Sequence, residues 1–328
     1  MANKPILFYG IESICDAGIK DIAIIVGDTA DEVMHAVGDG SRFGARIHYI
    51  RQEAPLGLAH AVKISRDFMK DDPFVMYLGD NLLSGGIRGF VDEFTRGKYD
   101  AQILLTRVKN PGDFGVAELK GDRVVGLEEK PKHPKSDYAL VGVYMFTPSI
   151  FEATDRIKPS WRNELEITDA IQYLIEHGRN VRSHVIKGWW KDTGKLEDLL
   201  EANRMALTAI DRDLRGSVDA KTRVIGEVSV GEGAVVESSE LRGPLVIGPR
   251  TVVRDSYVGP FTSISSGCTI VGSEVEFSII LEDSRIENLT TRMEGSLVGR
   301  NARITQAPAK PRAFRFMVGD NSEIQVPE

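Results

Sequence analysis

The sequence predicts an α/β domain followed by a parallel β-helix. Three observations carry that reading: a length beyond one core, alternating strand and helix patterns up to about residue 210, and a six-residue period after Gly216. At 328 residues the chain exceeds the size, ~250–300 residues, at which single hydrophobic cores stop growing. The expected division is 1–213 for the α/β domain, 214–306 for the β-helix and 307–328 for a C-terminal tail.

In chain order, Ile6 to Ala17 carries apolar residues at helical spacing, and Ile22-Ala23-Ile24-Ile25-Val26 is a short aliphatic run of the kind that makes a buried strand. Leu58 to Met69 again has helical spacing. Phe74-Val75-Met76-Tyr77-Leu78 and Ala101-Gln102-Ile103-Leu104-Leu105 are the next strands. Asp198 to Ile210, rich in Leu, Ala, Glu and Arg, reads as the helix that closes the domain. Beyond Gly216 an aliphatic residue recurs, often followed by Gly, with a small residue four positions on. The pairs Val230 and Ala234, Ile247 and Thr251, Val258 and Thr262, Ile264 and Cys268, Ile280 and Ser284, and Val298 and Ala302 fit this pattern. Each hexad forms one side of a coil, its aliphatic residue toward the axis and its small residue in the tight corner, so that stacking buries an aliphatic column. Residues 287–294 interrupt the period and are expected to form a loop between coils. The tail, with Phe314-Arg315-Phe316-Met317-Val318, is expected to pack back on the helix or on a neighbouring subunit.

Composition excludes several functions. Net charge is −7 and no Lys/Arg block exceeds two residues, so nucleic acid is not an expected partner. No run of about 18 apolar residues offers a membrane span. Cys15 and Cys268 are too few for a disulfide framework or a cysteine zinc site, and Met1-Ala2-Asn3-Lys4-Pro5 has no apolar signal region, which points to a reducing cytoplasm.

The candidate chemistry lies in five segments. Leu78-Gly79-Asp80-Asn81 puts an acid after an apolar strand, at the end where α/β sheets bind ligands. Gly188-Trp189-Trp190-Lys191-Asp192-Thr193-Gly194 puts a second acid in a loop stiffened by aromatic residues. Two carboxylates on one hard ion suit Mg²⁺; either acid alone suits a turn. Gln52-Glu53-Ala54-Pro55-Leu56-Gly57-Leu58 enters a helix. The Gln52 amide can donate and accept, as the imide edge of uracil or thymine requires, and Gly57 admits a planar base; the same segment also reads as a Pro-Leu-Gly turn. Glu128-Glu129-Lys130-Pro131 is either a charged turn or a lysine set to meet a phosphate. Glu164-Leu165-Glu166-Ile167-Thr168-Asp169 reads as a helix start with acids in the first turn, one of which could accept hydrogen bonds from sugar hydroxyls.

Taken together and in this order, Gln52 to Ala61, Leu78 to Asn81, Glu129-Lys130-Pro131, Asn163 to Asp169 and Trp190 to Gly194 resemble the glucose-1-phosphate thymidylyltransferase family in its longer form. The resemblance runs from Asn3 to the C-terminus. It implies a Rossmann-like nucleotidyltransferase domain with a mixed, mainly parallel sheet, followed by a left-handed parallel β-helix. It implies further that Gln52, Pro55, Gly57 and Gly79 bind the nucleotide and that Asp80 and Asp192 hold Mg²⁺. Gly115, Glu129, Lys130 and Glu164 would bind glucose 1-phosphate. The implied reaction is in-line attack of glucose 1-phosphate on the α-phosphorus of dTTP, releasing pyrophosphate, with Lys130, Asp80 and Asp192 as the catalytic set. UTP is the alternative nucleotide, because Gln52 cannot separate uracil from thymine. A non-catalytic paralogue that binds nucleotide sugars is a further alternative.

Two departures stand out. Asn163 occupies a position where the family usually has Gly. The family's opening strand and Gly-Gly-x-Gly-Thr-Arg loop have no counterpart in this sequence, and a chain without that phosphate cradle is expected to have little or no transferase activity. Some β-helices of this kind catalyse acyl transfer with a histidine base. Here all six histidines, His35, His48, His60, His133, His177 and His184, precede the repeats. The β-helix is therefore expected to serve stability and assembly, in a homo-oligomer.

Overall fold

The computed structural model describes residues 1–121 and 123–306; the expected tail of 307–328 lies outside the described residues. The chain forms two compact units, Lys4–Ala202 and a second made of Met1–Asn3 with the chain from Asn203. Among the described residues no helix is long and apolar enough to cross a membrane.

In the Lys4–Ala202 unit, α1 (Ile6–Asp16) buries Phe8, Ile11 and Cys15 on one face. The strand β1 (Asp21–Val26) leads through α2 (Ala30–Val37) to β2 (Arg46–Arg51), with which it pairs in parallel. The stretch from Leu58 to Met69, expected as one helix, is two: α3 (Leu58–Ile64) and α4 (Arg66–Met69). They are separated at Ser65, whose hydroxyl donates to the Val62 carbonyl at 2.7 Å, the kind of local side-chain bond that competes with helix continuation. Next come β3 (Phe74–Tyr77), β4 (Asn81–Leu83), α5 (Arg88–Arg96), β5 (Ala101–Arg107), β6 (Gly115–Lys120), β7 (Arg123–Glu129), β8 (Tyr138–Phe146) and α6 (Ser149–Arg156). The unit closes with α7 (Ile167–Glu176), β9 (Val181–Val185), β10 (Trp190–Asp192) and α8 (Leu196–Leu207), the last starting two residues earlier than its sequence pattern suggests.

Six strands form one sheet in the order β3-β8-β5-β9-β7-β6. The sheet is mixed. Strands β3, β5, β9 and β6 run one way while β8 and β7 run against them, so most neighbours pair antiparallel although most strands share a direction. Strand β8 shows why the sheet sits in the middle of the unit. Leu140, Tyr144 and Phe146 enter one core with α3, α6 and α7, and the alternate residues Val141, Val143 and Met145 enter another with Phe94 of α5. Period-two alternation thus serves two apolar layers, as expected of a strand buried on both faces. Ile14 of α1 packs with β3 in one cluster and with β1 in another.

The second unit is a left-handed β-helix whose three faces carry six, six and five stacked parallel strands. Neighbouring coils keep the aliphatic positions in register. Val230, Ile247, Ile264, Ile280 and Val298 form one column, and Val236, Val253, Ile270, Ile286 and Ile304 another. Of the small residues of the hexads, Ala234, Thr251, Thr262, Cys268 and Ser284 are 0% exposed and Ala302 is partly buried, while on the face that holds Thr262 the same position is also filled by the larger Leu245 one coil away. The loop expected over 287–294 is shorter, 288–292, because Glu287 ends the strand Arg285–Glu287 and Met293 and Glu294 form the next. Within this unit Asn203 is fully buried. Its carboxamide accepts from the Ala2 N–H at 2.8 Å and from Ser263 Oγ at 2.7 Å, and donates to the Phe261 carbonyl at 3.0 Å.

Candidate functional site

The segment after β2 builds the first part of the site. Gln52 follows the last strand residue, and its amide Nε2 contacts the Gly57 carbonyl at 3.2 Å and His60 Nδ1 at 3.0 Å. The sequence suggested an amide free to donate and accept. In the structure the Nε2 contacts engage both N–H groups internally, and Oε1 has no hydrogen-bond partner among the described residues. Gly57 adopts φ 99° and ψ 170°, a conformation open to glycine alone. Pro55 is exposed beside it.

This loop is stitched to the acidic segment before α7. The Leu165 N–H donates to the Leu56 carbonyl at 2.8 Å, and the Ala59 N–H donates to the Leu165 carbonyl at 2.9 Å. A Cβ on Gly57 would stand 2.5 Å from the Leu165 oxygen, so the close approach depends on glycine. The expected helix start at Glu164 moves to Ile167, with Glu166 as the capping position, and only Asp169 lies in the first turn. Glu164 and Glu166 therefore differ in environment. Glu166 is 3% exposed and accepts from Ser160 Oγ at 2.8 Å, whereas Glu164 remains accessible. Asn163 has φ 61°, the left-handed conformation that Asn tolerates better than most residues and that Gly would supply without cost.

Arg162 was not singled out by sequence. Its guanidinium lies 2.9 Å from Glu164, 3.4 Å from Glu166 and 3.8 Å from Glu129. The legible signal was a lone cation two and four residues ahead of two acids. Glu129 ends β7 opposite Gly115 of β6, where a Cβ would collide with Leu140 and Thr168. Thr168 Oγ1 donates to Glu129 Oε2 at 3.3 Å. Burial, and then the Glu166 charge, pushes the Glu129 carboxyl up from the usual range, against the opposing pull of Lys130, Thr168 and Arg162.

Lys130 has φ 43°, unusual for a residue with a side chain, and its N–H is pinned to the Phe114 carbonyl at 3.0 Å. Its charge favours the ionised form of both Glu129 and Asp192, partly opposing the upward push of burial, so it acts on the carboxylates of two separate segments. Asp192 ends β10, and the loop expected there is instead a short antiparallel ribbon in which Asp192 stands opposite Asn81 of β4. The Thr193 N–H and hydroxyl both donate to the Asp80 carbonyl, at 3.1 and 2.7 Å, which ties the two acidic segments together. Gly79 is exposed next to Asp80, with Leu7 across from it. Burial raises the Asp192 carboxyl, the Gly194 N–H opposes this, and the charges of Asp80 and Asp198 add to the rise. Among the described residues no cluster of three or more His, Cys, Asp or Glu side chains forms a complete cage for a metal.

A family model described as nucleotidyl transferase matches residues 1–209. The chain is 56% identical over 328 residues to a glucose-1-phosphate thymidylyltransferase of Streptomyces antibioticus, covering 99% of this chain and 92% of that protein. It is 55% identical over 327 residues to a protein of the same name from Streptomyces griseus, with the same coverage. Among solved structures, one from Bacillus anthracis in complex with sucrose matches with a TM-score of 0.58 and 37% identity, over 62% of this chain and 82% of that one.

Proposed function

The chain belongs to the nucleotidyl transferase family, and on that premise we propose that it is a glucose-1-phosphate thymidylyltransferase, which moves dTMP from dTTP to glucose 1-phosphate and releases pyrophosphate. The observation that carries the reading is the backbone stitching of Leu56 and Ala59 to Leu165, which sets a base-reading loop directly against the sugar-facing acids. The names of the two Streptomyces relatives support the same substrates.

In the proposed reaction an oxygen of the sugar phosphate forms a bond to the α-phosphorus while the bond from that phosphorus to the β-phosphate oxygen breaks. No covalent enzyme intermediate and no obligatory proton transfer are involved, so catalysis consists of positioning and charge stabilisation. Gln52 Oε1 accepts the imide N–H of the base, and the Gly57 N–H, which has no partner among the described residues, donates to the adjacent base carbonyl, with Pro55 and Gly79 lining the nucleotide. Glu164 and Glu129 accept from glucose hydroxyls, beside Gly115. Lys130 meets the attacking phosphate as a point charge. Asp80 and Asp192 would hold Mg²⁺, a pair of hard oxygen donors that leaves positions for water and phosphate oxygens. When bound, that ion supplies charge neutralisation for the phosphates. Arg162 bridges Glu129 and Glu164 and orients them. The β-helix serves assembly into a homo-oligomer.

A pyrophosphate-release matrix of dTTP and UTP against glucose, galactose and glucosamine 1-phosphates tests the proposal. Rank order, rather than absolute rate, carries the test. The highest kcat/KM is expected for dTTP with glucose 1-phosphate; a UTP pair in first place, or release independent of the sugar phosphate, overturns the assignment.

A further inference from the structure

The contacts of Gln52 place a constraint on the base that the glutamine alone does not. The Gly57 carbonyl can only accept a hydrogen bond, so the Gln52 atom 3.2 Å away is the amide nitrogen, and this bond engages one of its two N–H groups. The second N–H of that nitrogen then points to His60 Nδ1 at 3.0 Å, which makes Nδ1 the acceptor and leaves the ring proton on Nε2. Both Gln52 donors are consumed. What remains toward a ligand is Oε1, an acceptor and nothing else.

We propose that His60 is a positioning residue for base selection: by engaging the second Gln52 N–H it leaves the glutamine a pure acceptor, which admits an imide N–H and rejects cytosine. The inference rests on the reading that Gln52 faces the base. Thymine and uracil present N–H at ring position 3 and pair with Oε1. Cytosine presents a lone pair at the same position and meets Oε1 as acceptor against acceptor, with no N–H to turn to while His60 holds it. A buried or half-buried site that leaves such a pair unmatched discriminates more strongly than a site that merely lacks a contact. His60 lies in the first turn of α3, next to the fully buried Ala59 whose N–H is bonded to Leu165, so the imidazole is carried on a fixed element. Among the described residues it forms no hydrogen bond or ion pair with Glu129, Glu164 or Glu166, and its effect falls on the nucleotide alone.

The test is calorimetric titration of the whole chain with dTTP, UTP and dCTP in the presence of Mg²⁺, with glucose 1-phosphate titrated separately. His60→Leu frees one Gln52 N–H, and the ratio of dTTP to dCTP affinity is expected to fall about three- to tenfold, the worth of one hydrogen bond. The ratio of dTTP to UTP and the affinity for glucose 1-phosphate should stay unchanged. His60→Gln, which returns a carbonyl acceptor, should restore the original ratio. An unchanged ratio in His60→Leu, or no restoration by His60→Gln, overturns the role of His60. Gln52→Leu separates that failure from the larger one. If Gln52→Leu alters the ratio and His60→Leu does not, only the His60 assignment fails; if Gln52→Leu leaves the ratio unaltered, or dTTP does not bind, the reading of Gln52 fails.

Discussion

Replacing Gly57 by alanine adds one methyl group where the loop after β2 meets the segment before α7, the two segments proposed to face the substrates. The added Cβ would sit 2.5 Å from the Leu165 oxygen, 2.7 Å from its nitrogen and 3.0 Å from Glu164 Cβ, all on backbone or its root, where no flexible side-chain end can move aside. At φ 99° and ψ 170° an L-residue is also strained, by about 1–3 kcal/mol. Relieving the clash separates the loop from Leu165 and breaks the bonds to Leu56 and Ala59, at about 0.5–1.5 kcal/mol each. The expected destabilisation is about 2–6 kcal/mol. Urea unfolding with linear extrapolation reads it, and calorimetric titration should show dTTP and glucose 1-phosphate affinities falling together. A stability change below about 0.5 kcal/mol, within the range of ordinary surface substitutions, or loss of one ligand with the other intact, refutes the reasoning.

Three further outcomes follow from the same geometry. The folded-state carboxyl of Glu129 is raised above its unfolded value, so its contribution to stability is complete below the unfolded pKa and is lost as pH rises through the folded one. Glu129→Gln should therefore be more stable than the parent at neutral pH, with the difference closing toward acid pH in a calorimetric melting series, while glucose 1-phosphate binding weakens. Asp192→Asn removes one of the two carboxylates proposed to hold Mg²⁺, and the Mg²⁺ dependence of dTTP affinity should collapse when titrations with and without the ion are compared. In the β-helix, Ile270→Ala empties a position that is 0% exposed and stacked between Val253 and Ile286, and should cost about 2–5 kcal/mol in chemical unfolding.

Much of the fold was legible because its signals are periodic. The hexads of the β-helix repeat the same steric demand at each coil, and the buried residues Ile247, Thr251, Ile264 and Cys268 stand where the period puts them. The short aliphatic runs at β1, β3 and β5 are strands for the same reason. What escaped were features set by single local bonds or by distant partners. The break at Ser65 depends on one hydroxyl meeting the Val62 carbonyl, and the delayed start of α7 depends on Glu166 being held by Ser160 and Arg162. Neither the pairing directions nor the adjacency of the strands could be read from the runs themselves: β8 inserts between β3 and β5 from far along the chain and pairs antiparallel with both. In the site, the separate segments were visible as motifs, whereas the internal use of both Gln52 donors and the bridging by Arg162 exist only once Gly57, His60 and the three glutamates are brought together in space.

In the proposed function one site receives a pyrimidine base and a hexose phosphate on two loops joined at Leu165. Calorimetric titration of the whole chain with dTDP-glucose and Mg²⁺ tests that claim most directly. The expected result is a single binding event of one ligand per chain, weakened about tenfold by Gln52→Leu at the base end and similarly by Glu164→Gln at the sugar end, each variant having lost one or more hydrogen bonds of about 0.5–1.5 kcal/mol. No binding of dTDP-glucose, or binding that neither substitution alters, would contradict it.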